Sequence, residues 1–379
     1  MTSAPRVVLA PDKFKGSSTA PEVAAALARG IASVSPSADL RLVPVADGGD
    51  GTVDAFVAAG WKRVRLTAPG PGGQPTDTSY AVRGPTAVVE LAAVTGLALL
   101  PGGRPDPMGA STFGLGIVIG HALDGGATEI VLGLGGSASN DGGAGMLQAL
   151  GARLLDARGD ELPRGGAALA NVTRLETDAL RARTGAATFT LACDVDNPLL
   201  GPHGAIEVYG PQKGADREQR DILEAALANW ARVAGASFAD LPGAGAAGGT
   251  GFAASAVLGA RVRSGIEIIL DLLDFPTLVS GADLIVTGEG TLDEQSLHGK
   301  APVGVRTAAA AADIPVVAAV GRTLLSPERL HEAGFTACYA LTDLDPDPAR
   351  CIADAARLLE ELGARIAVDR LGCSTAGNS

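Results

Sequence analysis

Aromatic residues make up only 3% of this 379-residue chain, and its 30 Lys and Arg are outnumbered by 42 Asp and Glu. The formal net charge of −12 argues against a protein that holds nucleic acid through a broad basic face, because neutralised phosphates supply most of that affinity. Any anionic ligand must therefore be met by local positive charge. Cysteine is scarce: Cys193, Cys338, Cys351 and Cys373 form no CxxC pair and have no His partner at metal-site spacing, so they read as reduced thiols. The four histidines are scattered without an HxxxH, and the single ExxH, Glu328 to His331, reads as an exposed helix face. No stretch of about eighteen uncharged apolar residues escapes interruption by Gly or Pro, which argues against a membrane-spanning helix. The apolar run before Pro11 is too short for a signal-peptide core, and a cytoplasmic protein is expected. A GxSxG elbow and a Walker GxxxxGK[ST] sequence are also missing.

What is abundant is glycine, 52 residues, within a composition that is 46% hydrophobic with a mean hydropathy of +0.24. That suits Val, Leu, Ala and Ile cores crossed by tight turns, as in soluble α/β proteins, and the length favours two domains. RVVLAP reads as a strand and PEVAAALARGIASV as a helix with Pro21 in its first turn; RLVPVAD and TVDAFVAAG repeat the arrangement. From Thr67 to Thr86 the text is dense in Pro and Gly, resembling a crossing into another domain followed by a hairpin. Beyond Gly281, ADLIVTGEG, IPVVAAVGR and FTACYALTD are again apolar strands with helices between them. The two ends look alike and the middle differs. The expected fold is a Rossmann-like doubly wound parallel-sheet domain made from residues 1–68 and 282–379, with a second α/β domain, residues 69–281, inserted and a cleft between them.

In open α/β sheets ligands bind outside the carboxyl ends of the strands, so the loops that follow strands carry the functional reading. PDKFKG brings Asp12, Lys13 and Lys15, DGGDGT brings Asp47 and Asp50, and GEGTLDEQ brings Glu289 and Asp293. Crowded carboxylates repel unless a cation or a shared proton offsets them, which points to a metal or to proton exchange. In EIVLGLGGSASNDGGAGMLQALGA a strand leads into a turn with few side chains and then a helix, the makings of an anion cradle. Ser137 and Ser139 add hydroxyls, and Asn140 and Asp141 can cap the helix. Gly133 to Ala138 also fits GxGxxA, with Asp156 about twenty residues on, but Asp156 falls in an expected hairpin around Arg158 and Gly159, which favours phosphate without a nicotinamide. GAGAAG at 243–248 reads as a flexible loop. CDVDNP offers Asp194, Asp196 and Asn197 after a strand, and VYGPQKGA presents Lys213 between glycines.

A glycine-rich cradle together with lysines and carboxylates supplies what phosphoryl transfer needs: charge neutralisation, positioning and a carboxylate near the attacking hydroxyl. APDKFKGSSTA, VADGGDGT, GLGGSASNDGGAGMLQALG, DVDNPLLG with GPQKGA, GAAGGTGFAASAVLGA and DLIVTGEGTLDEQSLHGKAPVGV, in that order, resemble the type-1 glycerate kinases of bacteria, over Arg6 to Leu362. The resemblance implies ATP-dependent phosphorylation of D-glycerate, usually at the 2-hydroxyl, with Mg²⁺. Thr291 stands where that family usually has Arg. On physical grounds Lys13 and Lys15 are expected to hold the glycerate carboxylate or the transferring phosphoryl group, with Asp47 and Lys213 beside the substrate. Gly135, Gly136, Ser137, Asn140, Asp141, Gly142 and Gly143 are expected at the ATP phosphates. Asp194 is the expected base, with Asp293 second, and Asp47, Asp50 and Glu289 are the Mg²⁺ candidates. Phosphorylation of the 3-hydroxyl, a nicotinamide-dependent sugar-acid oxidoreductase and a non-enzymatic small-acid sensor are the competing readings.

Overall fold

The computed structural model of the chain describes residues 4–372, so Cys373 and most of the expected frayed tail lie outside the described residues. The chain divides into two compact units: one comprises the chain up to Asp47, Asp54–Gly60 and everything from Ile266 on, the other Gly48–Val53 and Trp61–Gly265. This differs from the division at 68/69 and 281/282 expected from the sequence. Strand Lys62–Pro69 pairs antiparallel with Pro75–Arg83 and so belongs wholly to the second unit.

The first unit is built on a five-stranded, entirely parallel sheet. Arg6–Pro11 lies between Asp39–Leu42 and Leu284–Gly288, and Val316–Val320 and Ala337–Ala340 follow outward. Numbered by chain order within the sheet this is 2-1-3-4-5, a doubly wound order whose direction reverses between the first and third strands. Burial on both faces explains the unbroken apolar text of VVLA, LIV and VVAAV, whose residues are 4% exposed or less. The second strand is shorter than RLVPVAD suggests. Pro44 has no N–H to give to a ladder, so regular pairing stops at Leu42, although Val43 N and Val45 N still donate to Leu9 O and Pro11 O. Helix Ala20–Val34 starts at a capping box: Thr19 accepts from Glu22 N while the Glu22 carboxylate accepts from Thr19 N at 2.8 Å, a cap worth about 1 kcal/mol. It packs with helix Ala355–Leu371, and Leu27, Ile31, Leu359, Leu362 and Ile366 join Leu9, Val286 and Val317 in one core.

The second unit holds a mixed six-stranded sheet in the spatial order Arg261–Arg263, Thr188–Ala192, Glu129–Gly133, Thr86–Glu90, Pro75–Arg83, Lys62–Pro69. The first four strands run parallel; the last two join by antiparallel pairing. Helix Arg217–Ala234 begins at a second capping box, Asp216 with Gln219, and buries Leu223, Ala226, Leu227 and Trp230 into the core with Phe252, Leu132 and Leu191. Around Arg158 the chain makes the expected turn, closed by Asp156 N to Asp160 O at 2.9 Å, while Arg153–Leu155 pairs antiparallel with Arg174–Glu176. Among the described residues no helix is long and apolar enough to cross a membrane.

Candidate active site

In the first unit the register aligns Pro11 with Gly288, so the residues that follow, Asp12 and Glu289, emerge together where the strand order reverses. Asp12 N donates back to Gly288 O at 2.8 Å. Asp12 is buried, 5% exposed. Its Oδ1 accepts from Lys13 N at 2.6 Å and lies 3.6 Å from Lys13 Nζ, which stands 3.7 Å from Asp47 Oδ1. Burial pushes the Asp12 carboxyl up to about 7; Lys13 opposes that shift, and the Asp47 and Glu289 carboxylates add to it. Burial also raises Glu289, against the Ser296 hydroxyl and Lys300, with Asp47 and Asp293 adding repulsion. Glu289 Oε1 is buried and has no hydrogen-bond partner.

Within the first unit Lys13, Asp47, Glu289 and Asp293 are brought together, with Lys15 exposed in the loop that carries Lys13. Asp293 is already engaged locally: its Oδ1 accepts from Ser296 N at 3.0 Å and Ser296 Oγ at 3.1 Å, which hold its carboxyl low despite the opposing effect of burial. Two more charges belong to the same group: Asp12, which the sequence places in this loop without a role, and Lys300, which the motifs did not single out. Their signal was available: Asp12 is the first residue beyond an apolar strand, and Lys300 immediately precedes helix Ala301–Ala310. Beside Thr291, Arg322 donates Nε to its Oγ1 at 3.2 Å, so a guanidinium stands next to the position that lacks one.

In the second unit the glycine loop leaves the carboxyl end of Glu129–Gly133, between strands that end in Glu90 and Ala192. Only part of it lies open. Gly135 and Gly136 are partly or fully exposed, whereas Ser137 to Gly143 are buried. A Cβ on Gly135 would stand 2.6 Å from Gly49 Cα, and one on Gly136, whose φ is +72°, would stand 2.5 Å from Asp50 Oδ1. A close backbone at Gly135, and a left-handed φ beside the Asp50 side chain at Gly136, account for these glycines more than the fingerprint spacing does.

The buried stretch is a polar framework instead of a row of ligand contacts. Asp141, 1% exposed, accepts from Thr112 N at 2.7 Å, Thr112 Oγ1 at 2.9 Å, Ser111 Oγ at 3.1 Å and both Gly143 N and Gly145 N at 3.2 Å. Those donors oppose the upward shift that burial imposes on its carboxyl. Asn140 donates Nδ2 to Pro107 O at 3.1 Å, and its Oδ1 is buried without a partner. Ser137 Oγ accepts from Ser139 N at 3.1 Å. The segment GAGAAG, expected as a flexible loop, is packed into the unit: it runs into Ala246–Leu258, whose first turn is broken by left-handed residues at Ala247, Gly248 and Gly249, and Gly248 O accepts from Gly142 N at 3.0 Å. Trp230 Nε1 donates to Gly142 O at 3.0 Å from below.

Lys213 also differs from its expected place beside the substrate. It is 2% exposed and its Nζ donates to Ser139 O at 2.6 Å, beneath the loop, because the turn Pro211–Lys213 is folded inward. Burial lowers its ammonium to about 7, with Asp141 opposing. The sign follows: between about pH 7 and 10.5 the unfolded chain holds a proton here that the folded chain has lost, so this group's contribution to stability rises with pH across that window. Lys213→Met removes the titration, and the stability difference between wild type and variant should move in favour of wild type as urea titrations go from pH 6 to pH 9. A pH-independent difference would mean that Lys213 keeps an ordinary pKa.

Asp194 is exposed two residues beyond Thr188–Ala192, and its Oδ1 accepts from Gly265 N at 2.9 Å. The dinucleotide reading fails on geometry: Asp156 accepts from Arg158 N at 2.8 Å and Asp160 N at 3.0 Å inside its own turn. The strand beside it, Arg153–Leu155, is not part of the main sheet.

A family model described as "Glycerate kinase family" matches residues 7–370. The chain is 43% identical over 343 residues to a protein named Glycerate kinase from Bacillus subtilis (strain 168), covering 89% of this chain and 90% of that one. It is 41% identical over 343 residues to the Glycerate 2-kinase of Escherichia coli (strain K12), with 89% and 90% covered. It also superposes, at a TM-score of 0.83 and 39% identity over 97% of this chain and 98% of the other, on the crystal structure of a protein designated glycerate kinase 2 from Salmonella typhimurium LT2.

Proposed function

The chain belongs to the glycerate kinase family, and from that premise we propose how its residues divide the transfer of a phosphoryl group from ATP to glycerate. It is an ATP-dependent glycerate kinase, and the designation of the E. coli relative as a 2-kinase supports the 2-hydroxyl of D-glycerate as acceptor. The observation that carries the division of roles is the pair of sheet edges: lysines among carboxylates in the first unit, an open Gly135–Gly136 turn in the second.

Such transfers need little covalent help from the protein and much positioning and charge stabilisation. Lys13 and Lys15 are the cations for the substrate carboxylate or for the phosphoryl oxygens. The Gly135–Gly136 turn faces the ATP phosphates, while Ser137, Asn140, Asp141, Gly142, Gly143 and Lys213 keep it in shape from behind. Asp194 accepts the proton of the attacking hydroxyl as the new O–P bond forms and the bond to ADP breaks. The residues fit a magnesium ion in part. Glu289 Oε1 is an orphaned carboxylate oxygen, yet among the described residues no three His, Cys, Asp or Glu side chains group closely enough to hold a metal alone. That suits Mg²⁺, which keeps water and phosphate oxygens among its ligands; Asp47, Asp50 and Glu289 are the carboxylate candidates for it. Bound there, Mg²⁺ would neutralise phosphate charge.

Purified protein incubated with ATP, Mg²⁺ and D-glycerate should release ADP and give the ³¹P and ¹H NMR signals of 2-phosphoglycerate. Signals of 3-phosphoglycerate would move the acceptor to the other hydroxyl. No ADP above a control without glycerate would overturn the reading.

A further inference from the structure

Glu90 closes strand Thr86–Glu90 and is 7% exposed, yet it belongs to none of the charged loops. Each of its oxygens accepts from the same short segment: Oε1 from Gly51 N at 3.0 Å and Oε2 from Val53 N at 3.1 Å. That segment, Gly48–Val53, clusters with the second unit, although the residues on either side of it cluster with the first. Thr52 Oγ1 closes the turn by donating to Gly49 O at 2.6 Å. Held there, Gly49 lies against Gly135, and the carboxylate of Asp50, which is exposed, lies against Gly136, the open part of the glycine loop.

We infer that Glu90 is a positioning residue of the transfer: by accepting the Gly51 and Val53 N–H groups it fixes Asp50 on the glycine loop, beside the place of the nucleotide's phosphates and their cation. The inference rests on the phosphate reading of that loop. A carboxylate suits the task because it offers an acceptor to each N–H, whereas an amide at this position turns its NH₂ toward one of them. Groups that orient a metal-holding carboxylate typically alter metal affinity by about 10- to 100-fold when replaced.

The test compares full-length wild type, Glu90→Gln and Asp50→Asn by hydrogen exchange of the peptides spanning 45–60, by calorimetric binding of ATP with and without Mg²⁺, and by kinetics. Glu90→Gln should speed exchange at Gly51 and Val53 and weaken binding of ATP with Mg²⁺ by at least about 10-fold. It should leave metal-free ATP binding and the glycerate KM within about 3-fold, and adding it to Asp50→Asn should cost little more. Faster exchange with unchanged Mg²⁺-dependent binding would reduce Glu90 to a structural prop and overturn the inference. Equal losses with and without Mg²⁺ would overturn it too, by locating the damage in the loop itself. If Glu90→Gln does not fold, Glu90→Asp keeps the charge at a shorter reach and is read by the same criteria. A wild type that does not phosphorylate glycerate would sink the functional reading, while the exchange and binding comparisons would still decide the role of Glu90.

Discussion

Asp194→Asn should give a folded protein that binds ATP within a few-fold of wild type and turns over glycerate about 1,000-fold more slowly, the middle of the range for losing a general base. The amide keeps an oxygen for Gly265 N, the 2.9 Å bond that ties the turn after Thr188–Ala192 to the start of the next segment. What it loses is the capacity to take a proton. Because the chemical step alone should suffer, kcat and kcat/KM for glycerate fall together. Asp196→Asn, two residues along the same exposed turn, is the control and should remain within a few-fold of wild type. If Asp194→Asn retains turnover, the base lies elsewhere. The next carboxylate to test would be Asp293, despite its engagement with Ser296.

The features legible in the sequence are those with local causes. VVLA, LIVT and VVAAV read as buried parallel strands because a sheet covered on both faces demands unbroken apolar runs. Helix Arg217–Ala234 reads from its apolar spacing, and the charged loops fall where the strands end. The strand order, and with it the point of reversal between Arg6–Pro11 and Leu284–Gly288, is less legible because the partners are separated by most of the chain. The same holds for the inside of the site. Asp141 meets Thr112, Lys213 meets Ser139 and Glu90 meets Gly51 over 29, 74 and 39 residues of separation. A polar residue in a glycine-rich loop looks identical in text whether it faces a ligand or braces the loop from behind. Only the three-dimensional partner distinguishes them, and that is why Asn140, Asp141 and Lys213 read as ligand contacts and are found buried.

Lys13→Ala should lower kcat/KM for glycerate by at least about 100-fold, close to 2.7 kcal/mol of transition-state stabilisation. The ammonium stands among carboxylates, 3.6 Å from Asp12 and 3.7 Å from Asp47, in a protein whose net charge is −12. An anionic substrate entering that environment meets repulsion unless cations outweigh it locally, and Lys13 is the one wedged between the buried Asp12 and the half-exposed Asp47. Removing it acts twice: the substrate loses a partner, and the Asp12, Asp47 and Glu289 carboxylates lose the charge that restrains their mutual repulsion, so Asp12 should protonate at still higher pH. Lys13→Arg is the sharper variant because it keeps the charge and changes its shape. Should Lys13 meet the transferring phosphoryl group as a point charge, the guanidinium restores little of kcat. Should it only balance Asp12 and Asp47, Lys13→Arg behaves as wild type and Lys13→Ala loses stability without losing turnover, and substrate recognition passes to Lys15 and Lys300.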